Sequence, residues 1–311
     1  MAVVGAAVHE PSARDALRAI QEADRLGVPE VWLTTGAAAD ALVVFAAAAV
    51  TTGTIRLGTA IVPTFPRHPL VVAQQAADLA QLAPGRFTLG LGPSHGGSVE
   101  GRYGLSYHRP LEQLREFVSV VKGALTGEQL DFEGRRFTVH GRLAHPGDVP
   151  VMISALREGS FQLAGEVADG AITWVCPAPY LRRVALPALE RGAAMQSRPV
   201  PPLVAHAFLC LTSDRATVRE AASRGMAGYP RLPNYVAMFE AAGFPEARQG
   251  AWSDPMLDAV LVWGAEQQAA EAVHRFLDTS GAQRLILSIL SPPREDREDA
   301  TRRALQWVAA L

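Results

Sequence analysis

The chain has 311 residues, of which 49% are hydrophobic and 19% charged, so it is long and apolar enough to bury a large core and is not disordered. Its formal net charge is −2, and its Lys and Arg residues are scattered. This charge distribution argues against nucleic acid or an anionic membrane surface as the main partner. We therefore expect the partner to be a small molecule.

Targeting and redox features are sparse. The N-terminus has no basic residue before its short apolar run, so no signal peptide is evident. The longest apolar stretch, ALVVFAAAAV at 41–50, is too short to span a bilayer and predicts a core helix. Cys176 and Cys210 lack a paired spacing, which predicts reduced, buried thiols in a cytoplasmic protein.

The first part of the chain alternates short runs rich in Val, Ile and Leu with longer segments of helical periodicity, which is typical of βα units and a parallel sheet. Ser12 and Asp40 occupy the N-cap positions of the first two predicted helices. A third helix is predicted over 70–82. The predicted strands here are 3–8, 30–34, 55–62 and 86–92.

The second part of the chain continues this alternation after a strongly amphipathic helix in RPLEQLREFVSVVKGALTG. LDFEGRRFTV predicts a hairpin that turns at Glu133-Gly134, an excursion over about 129–140. The Pro-, Gly- and aromatic-rich segment at about 228–255 predicts an insertion, a kind of segment that often covers or shapes a site. The remaining predicted strands are 149–154, 170–175, 203–211 and 283–290.

Eight strands that alternate with helices predict an α/β fold, a (β/α)8 TIM barrel with insertions, with an open doubly wound sheet as the alternative. No linker of distinct composition divides the chain, so we expect residues 1–311 to form a single barrel domain. A barrel of this kind carries its active site at the carboxyl ends of the strands. Those ends fall at 34–36, 60–63, 92–95, 154–159, 174–177 and 288–291.

The segment LGLGPSHGG contains G-x-S-x-G, the nucleophile motif of serine hydrolases, centred on Ser94. A Gly-rich loop rather than a tight helix follows Ser94, and no histidine follows the last predicted strand, so a hydrolase is disfavoured.

The dinucleotide fingerprint that begins at Gly90 also fails, because His95 stands where its third glycine belongs. No His, Cys and carboxylate set has metal-ligand spacing, so we expect no metal.

The run IRLGTAIVPTFPRHPLVVAQQAADLAQLAPGRFTLGLGPSH resembles the bacterial-luciferase-like oxidoreductases, and among them the coenzyme F420-dependent branch. Further matching segments are VEGRYGLSYHRPLEQLREFVSVVKGALTGE, LDFEGRRFTV, PVMISALREGSFQLAGEVADGAITW and VLVWGAEQQAAEAVHRFLDTSGAQRLIL. The resemblance implies a (β/α)8 barrel that binds F420, or FMN in sister branches, at its C-terminal mouth. It also implies a homodimer formed through barrel helices.

The resemblance places the family's cofactor site on this chain. The family's strand-end bulge, often with a cis peptide behind the ring, falls at Ala60-Ile61, although an ordinary strand end is the alternative. His95 lies in the segment that runs along the cofactor, or is a structural loop residue. Arg157 precedes a helix whose N-terminus favours a phosphate, or is simply solvated. The predicted cofactor-binding residues are Thr34, Ala60, Ile61, Gly92, Ser94, His95, Ala155, Leu156, Arg157, Glu158, Gly159 and Ser160.

One departure concerns the chemistry. Many F420 relatives carry an Asp-His or similar pair at the end of the second strand, where this chain has Thr34-Thr35-Gly36 and so no general acid. The candidate proton donors, and hence catalytic residues, are His95, His9 and Glu100, or water. The candidate substrate-pocket residues, each of which could instead be ordinary packing or a surface loop, are Phe65, Arg67, Trp174, Tyr229 and Trp252.

Reduced F420 is a two-electron hydride donor. The resemblance therefore implies hydride transfer between F420 and an electron-poor C=C or C=N bond of a small substrate, as in secondary metabolism. Two alternatives keep the fold: an FMN-dependent luciferase-like monooxygenase, and a barrel that binds a deazaflavin without turnover.

Overall fold

The computed structural model describes residues 2–311. Most of its strands lie in one parallel sheet, and two form a separate hairpin. The strands are β1 (Val3–Val8), β2 (Glu30–Leu33), β3 (Arg56–Thr59), β4 (Val62–Pro63), β5 (Phe87–Gly92), β6 (Leu130–Glu133), β7 (Thr138–Gly141), β8 (Val151–Ser154), β9 (Gly170–Ile172), β10 (Leu203–Cys210), β11 (Leu261–Trp263) and β12 (Arg284–Ile289).

Helices connect these strands on the outside of the sheet. A π-helical turn, Leu181–Ala185, joins α7 to α8, and short 3₁₀ turns occur at Tyr229–Arg231 and Pro245–Gln249. The α-helices are α1 (Ala13–Leu26), α2 (Ala41–Thr51), α3 (Pro69–Leu82), α4 (Gly96–Tyr103), α5 (Pro110–Leu125), α6 (Glu158–Val167), α7 (Ala178–Tyr180), α8 (Leu186–Met195), α9 (Arg215–Gly225), α10 (Pro233–Ala242), α11 (Asp254–Val260), α12 (Glu266–Ser280) and α13 (Arg297–Ala309).

The sheet closes on itself. Strands β1, β2, β3, β5, β8, β9, β10 and β12 are neighbours in that order, and β12 pairs with β1 in parallel, which completes an eight-stranded barrel. Strand β4 continues the line of β3 and pairs with β5. The expected (β/α)8 TIM barrel is therefore confirmed.

Local signals fix the helix starts. The Ser12 hydroxyl accepts a hydrogen bond from the Asp15 N–H at the start of α1, and the Asp40 carboxylate accepts from the Leu42 and Val43 N–H groups at the start of α2. Both caps satisfy backbone donors that a helix start leaves unpaired, as their sequence positions predict. Strand β10 is buried along its whole length, which explains why its residues other than His206 are apolar.

A buried carboxylate closes the amino-terminal end of the barrel. Glu30, at the start of β2, is 1% exposed, accepts a hydrogen bond from Trp32 Nε1 at 3.0 Å and pairs with Arg284 at 3.0 Å. The two partners compensate the cost of burying its charge. A buried ion pair therefore occupies the amino-terminal end of the barrel.

Three details differ from the sequence prediction. The third strand is split into β3 and β4 at Ala60-Ile61, where the bulge was expected. In the hairpin, Glu133 pairs with Thr138, so the turn occupies 134–137 and is longer than Glu133-Gly134. A short strand, β11, was not predicted; it follows α11 and pairs with the C-terminal half of β10.

The segment at 228–255 contains short helices, among them α10, rather than strands. No helix within residues 2–311 combines the length and the apolar character that crossing a bilayer requires.

Candidate active site

A cavity of about 1000 Å³ opens at the carboxyl ends of the barrel strands. This is the end at which TIM-barrel enzymes carry their active sites, and the volume is at the upper end of the range for small-molecule sites. The lining comes from the ends of β1, β2, β5, β8 and β9, from the Ala60-Ile61 bulge, from the start of α6 and from α10.

The floor on the β3 side is built around the Ala60-Ile61 peptide bond, which is cis. The Thr34 hydroxyl donates a hydrogen bond to the Ala60 carbonyl oxygen at 2.5 Å, and the Thr35 N–H donates to the Ile61 carbonyl oxygen at 3.1 Å. Two hydrogen bonds therefore connect the end of β2 to the bulge. A Cβ atom on Gly92 would lie 2.3 Å from the Ser154 hydroxyl oxygen and 3.0 Å from Ile61, so glycine there lets β5 approach the bulge closely.

The start of α6 forms a second wall. The Ser160 hydroxyl oxygen accepts hydrogen bonds from the N–H groups of Leu156 and Arg157, at 3.0 and 3.1 Å. The next two N–H groups, of Glu158 and Gly159, belong to the first turn of the helix, which has no intrahelical acceptor for them. These donors, the helix dipole and the exposed Arg157 side chain favour an anionic group at this end of the cavity.

An aromatic cluster around Trp174, which follows β9, forms a third wall. The Trp174 indole N–H donates to the Tyr229 hydroxyl at 2.7 Å, which fixes both rings. On its other face Trp174 stacks on His206, with ring centroids 3.6 Å apart and planes at 15°. Tyr229 in turn packs edge-on against Tyr235 at 5.0 Å. The insertion therefore contributes two cavity-lining rings through Tyr229 and Tyr235.

His9 lies at the end of β1. Its Nε2 atom is 2.9 Å from the Ser288 hydroxyl oxygen, which is also 2.7 Å from Nε2 of His206. The ring of His9 is open to the cavity but otherwise enclosed by protein, and this enclosure, together with the charge of Arg297, lowers its pKa to about 4. His9 is therefore neutral at physiological pH.

His95 precedes α4 and its ring lies 6.0 Å from that of Tyr235. Burial lowers the pKa of His95 below its ordinary value.

The neighbouring Ser94 has a left-handed backbone, φ 63°, and its carbonyl oxygen accepts a hydrogen bond from the Tyr107 hydroxyl at 3.0 Å. Within residues 2–311 no histidine hydrogen-bonds to the Ser94 hydroxyl, so the base that a serine nucleophile requires is missing there.

The structure brings most of the predicted site residues together. Every predicted cofactor residue except Gly92 lines the cavity, and Gly92 lies directly behind its floor. The predicted residues in the lining are Thr34, Ala60, Ile61, Ser94, His95, Ala155, Leu156, Arg157, Glu158, Gly159, Ser160, His9, Trp174 and Tyr229.

Besides Gly92, four predicted residues lie outside the lining. Arg67 is engaged by an ion pair with Asp40, and Phe65 packs against Tyr107 at 5.0 Å, behind the cavity wall. Trp252 donates to the Met226 carbonyl oxygen at 2.9 Å. Glu100 is exposed on α4 and accepts from the Tyr107 N–H at 3.3 Å. In each case the side chain has a protein partner that its sequence position does not reveal.

Sequence reasoning missed several residues. Tyr107 and Tyr235 line the cavity and His206 contacts its wall, and none of the three was predicted. Ser154 and Ser288 lie in the predicted strand ends 154–159 and 288–291 but were not named as site residues. A histidine inside the apolar run LVAHAFLCL is the signal that could have indicated His206. The role of His206 depends on its hydrogen bond with Ser288, which lies 82 positions further along the chain. Among the described residues, no group of three or more His, Cys, Asp or Glu side chains could hold a metal.

Comparisons with known proteins agree with the fold. A 5,10-methylenetetrahydromethanopterin reductase of Methanolobus tindarius is 24% identical over 294 residues, which cover 88% of this chain and 90% of that protein. An F420-dependent glucose-6-phosphate dehydrogenase of Nakamurella multipartita is 37% identical over 152 residues, 46% of this chain and 44% of that protein. The chain spans about half the length of several other curated relatives as well.

Among solved structures, an F420-dependent secondary alcohol dehydrogenase in complex with an F420-acetone adduct superposes with a TM-score of 0.83. Its sequence is 19% identical, and the match covers 98% of this chain and 97% of that one, so the likeness concerns the fold. The family model described as luciferase-like monooxygenase matches residues 1–284. With its closed barrel and its cavity at the carboxyl-terminal end, the chain is a member of the luciferase-like monooxygenase family.

Proposed function

We propose that the protein is an F420-dependent oxidoreductase that transfers a hydride between F420 and an electron-poor C=C or C=N bond of a small organic substrate. The observation that carries the proposal is one cavity in which an apolar floor at Ala60-Ile61 and an anion-binding helix start at α6 lie together. The names of relatives, including an F420-dependent dehydrogenase, support the choice of cofactor.

The described residues fit such a cofactor. A planar conjugated ring needs a flat apolar surface, which Ala60 and Ile61 offer, and an anionic tail needs donors and positive charge, which Glu158 N–H, Gly159 N–H and Arg157 offer. When bound, reduced F420 supplies the hydride. The barrel strands and the α6 start would hold and orient it, while the aromatic wall around Trp174 excludes water.

His95 is our candidate for moving the accompanying proton. Its imidazole lines the cavity and makes no hydrogen bond to another side chain within residues 2–311, so it is available to a ligand. A histidine can deliver a proton to a substrate atom when it is within hydrogen-bond reach. Glu100 is not retained in this role, because it lies on the exposed side of α4.

A fluorescence titration of the purified protein with F420, in parallel with FMN, tests the proposal. Micromolar or tighter binding of F420 alone is the expected result. Binding of FMN alone would replace the proposal with an FMN-dependent monooxygenase, which the family description favours, and oxygen uptake with reduced FMN would check it. Binding of neither would refute both.

Binding without chemistry is a separate outcome. We expect multiple-turnover oxidation of reduced F420 with an activated enone or imine as acceptor. If F420 binds tightly and a broad acceptor panel is not reduced, the barrel is a deazaflavin-binding protein. A fluorophosphonate probe should leave Ser94 unlabelled, as the absence of a paired histidine implies.

We further propose a homodimer formed through α2 and α3. Four large apolar side chains are exposed on these neighbouring helices: Val43 (66%), Val50 (65%), Val71 (52%) and Leu82 (44%). Exposed apolar patches of this kind are typical of protein interfaces. Light scattering after gel filtration should give twice the chain mass, and Val50→Glu should give the monomer. A wild-type monomer would refute the interface.

A further inference from the structure

Three side chains form a continuous polar chain inside the upper barrel: His206 of β10, Ser288 of β12 and His9 at the end of β1. Nε2 of His206 lies 2.7 Å from the Ser288 hydroxyl oxygen, and that oxygen lies 2.9 Å from Nε2 of His9. His206 and Ser288 are completely buried, whereas His9 faces the cavity. We call this set the His206–Ser288–His9 chain.

The direction of every hydrogen bond in this chain follows from one backbone group. The Val175 N–H lies 3.2 Å from Nδ1 of His206, and a backbone N–H can only donate. Nδ1 of His206 is therefore unprotonated, and the neutral ring carries its proton on Nε2. That proton is donated to the Ser288 oxygen.

The Ser288 hydroxyl determines which nitrogen of His9 carries the proton. Having accepted from His206, Ser288 directs its single proton to Nε2 of His9, which must then be the acceptor. A neutral His9 consequently carries its proton on Nδ1. Within residues 2–311 Nδ1 of His9 has no hydrogen-bond partner, and the accessible surface of the ring belongs to the cavity.

The backbone around Val175 is fixed. Val175 is buried and has φ 55°, a conformation that is unusual for a β-branched residue. The preceding residue, Trp174, covers the ring of His206 at 3.6 Å, and Phe208 packs edge-on against it at 4.9 Å. Turning the His206 ring would break its hydrogen bond from the Val175 N–H and disturb both aromatic contacts.

Protonation of His9 is opposed by the same chain. An imidazolium would present a second N–H to the Ser288 oxygen, and the serine's own proton would lose its acceptor. The charged groups nearest to His9 are Arg297 of α13, whose positive charge opposes protonation, and Glu10, which pairs with Arg297 at 3.4 Å. The other groups that face it, His206 and Trp174, carry no charge.

We infer that Ser288 and His206 are positioning residues that keep His9 as a neutral hydrogen-bond donor through Nδ1, and that the substrate binds through an uncharged acceptor atom at this point. For an enone the acceptor is the carbonyl oxygen conjugated with the C=C bond, and for an imine it is the nitrogen. A fixed N–H at that atom stabilises the negative charge that develops there during reduction. His9 is then a polarising donor and not the proton source.

Two further observations fit an uncharged substrate. The Tyr229 hydroxyl accepts from Trp174, so its own proton is free for a second bond to the same kind of acceptor. Arg157 is the sole Lys or Arg among the described lining residues, and it lies at the α6 end, which the cofactor tail would occupy. A substrate with its own phosphate or carboxylate would meet no cation in the described lining near His9, because Arg297 lies outside the lining and pairs with Glu10. This part of the inference rests on the proposed function; the tautomer assignment does not.

Nitrogen-15 NMR of the ligand-free protein, labelled at histidine, tests the tautomers directly. Between pH 5 and 8 we expect His9 to show a protonated Nδ1 and an unprotonated Nε2, with the reverse for His206, and neither to change. His9→Asn and His206→Gln assign the signals. A His9 protonated on Nε2, or one that titrates near pH 6.5, would overturn the inference.

Ser288→Ala tests the coupling. We expect the variant to show mixed His9 tautomers and a titration of His9 shifted to higher pH, because Nε2 has lost its fixed partner. Ser280→Ala is the matched control: Ser280 is equally buried and its hydroxyl donates to the Leu277 carbonyl oxygen away from the chain. An unchanged His9 spectrum in Ser288→Ala would show that Ser288 does not position it. If that variant does not fold, His206→Gln, which keeps an N–H toward Ser288, should preserve the His9 tautomer.

Turnover separates the substrate part from the proposed function. An asparagine at position 9 retains an N–H close to the place of Nδ1, so His9→Asn should keep turnover within about tenfold, whereas His9→Ala should lose at least that factor. Equal losses in both variants would contradict the donor role. Failure to bind F420 would refute the proposed function while leaving the NMR result standing.

Discussion

The hydroxyl of Thr34 donates a hydrogen bond to the carbonyl oxygen of Ala60 at 2.5 Å, across 26 positions of the chain. This bond connects the end of β2 to the cavity floor. We expect Thr34→Val, which keeps the shape of the side chain but removes the donor, to lower stability by about 1 kcal/mol and F420 affinity about tenfold.

Thr51→Val is the matched control for this substitution. Its hydroxyl makes the same kind of bond, to the Ala47 carbonyl oxygen, on α2 and away from the cavity. Fluorescence titration with F420 and urea unfolding of both variants provide the comparison. Equal F420 affinity in Thr34→Val and wild type would mean that the floor does not contact the cofactor.

Arg157 should act through its charge. If its guanidinium meets the anionic tail of F420, Arg157→Gln should weaken binding by about 1–3 kcal/mol, which is roughly 5- to 150-fold. The loss should shrink as salt is raised, because salt screens exposed charges. Arg14→Gln, on the exposed face of α1, is the control and should bind as wild type. Wild-type affinity in Arg157→Gln at low salt would remove Arg157 from the site.

The two tryptophans predicted for the substrate pocket can be distinguished by experiment. Each indole N–H makes one hydrogen bond, Trp174 to Tyr229 and Trp252 to the Met226 carbonyl oxygen, but only Trp174 lines the cavity. We expect Trp174→Phe to raise KM for the acceptor substrate about tenfold, since it frees Tyr229 to move. Trp252→Phe should affect only the urea midpoint. A KM change of equal size in both variants would point to a general loss of packing.

The proton role of His95 predicts a pH profile. Burial holds the pKa of His95 below its ordinary 6.5, so the protonated donor is lost as pH rises through that lower value. Turnover should therefore decrease from weakly acidic to neutral pH. His95→Gln should lower turnover and make it less dependent on pH in this range. His68→Gln is the control, because His68 caps α3 outside the cavity. A wild-type profile in His95→Gln would assign the proton to water.

Stability should depend on pH through the buried histidines. Enclosure lowers the pKa of His9 to about 4, and burial holds that of His206 well below 6.5. Between pH 6.5 and about 4 the unfolded chain binds protons that the folded chain does not, so stability is lost as pH falls through this window. The urea midpoint should be lower at pH 5 than at pH 7.5. This difference should be smaller in His206→Gln than in the wild-type protein. Equal losses in the two proteins would assign the effect to other groups.

The elements could be predicted from the sequence because strand periodicity and the caps at Ser12 and Asp40 depend on local order. The Ala60-Ile61 bulge and the candidate cofactor residues came from the family resemblance, since the local pattern predicts one continuous strand over 55–62. Pairings between distant segments were not readable. Arg67 looks available until Asp40 is placed beside it, and β11 is too short to show an alternation of its own.

The same reason explains why the His206–Ser288–His9 chain was missed. The three residues come from the first, seventh and eighth barrel strands or their ends, and nothing in the sequence near any of them indicates the others. His9 was predicted as one of three candidate proton donors because the end of the second strand has no general acid. The contact of its Nε2 atom with Ser288 instead indicates that His9 is a neutral hydrogen-bond donor.

The size of the cavity has a kinetic consequence. Its lining includes Arg157 at the start of α6 as well as Trp174 and Tyr229, and its volume is about 1000 Å³. A cofactor tail held at one end and an acceptor held at the other occupy different parts of this space, so neither has to leave before the other enters. The enzyme should form a ternary complex, and double-reciprocal plots at several F420 concentrations should give intersecting rather than parallel lines.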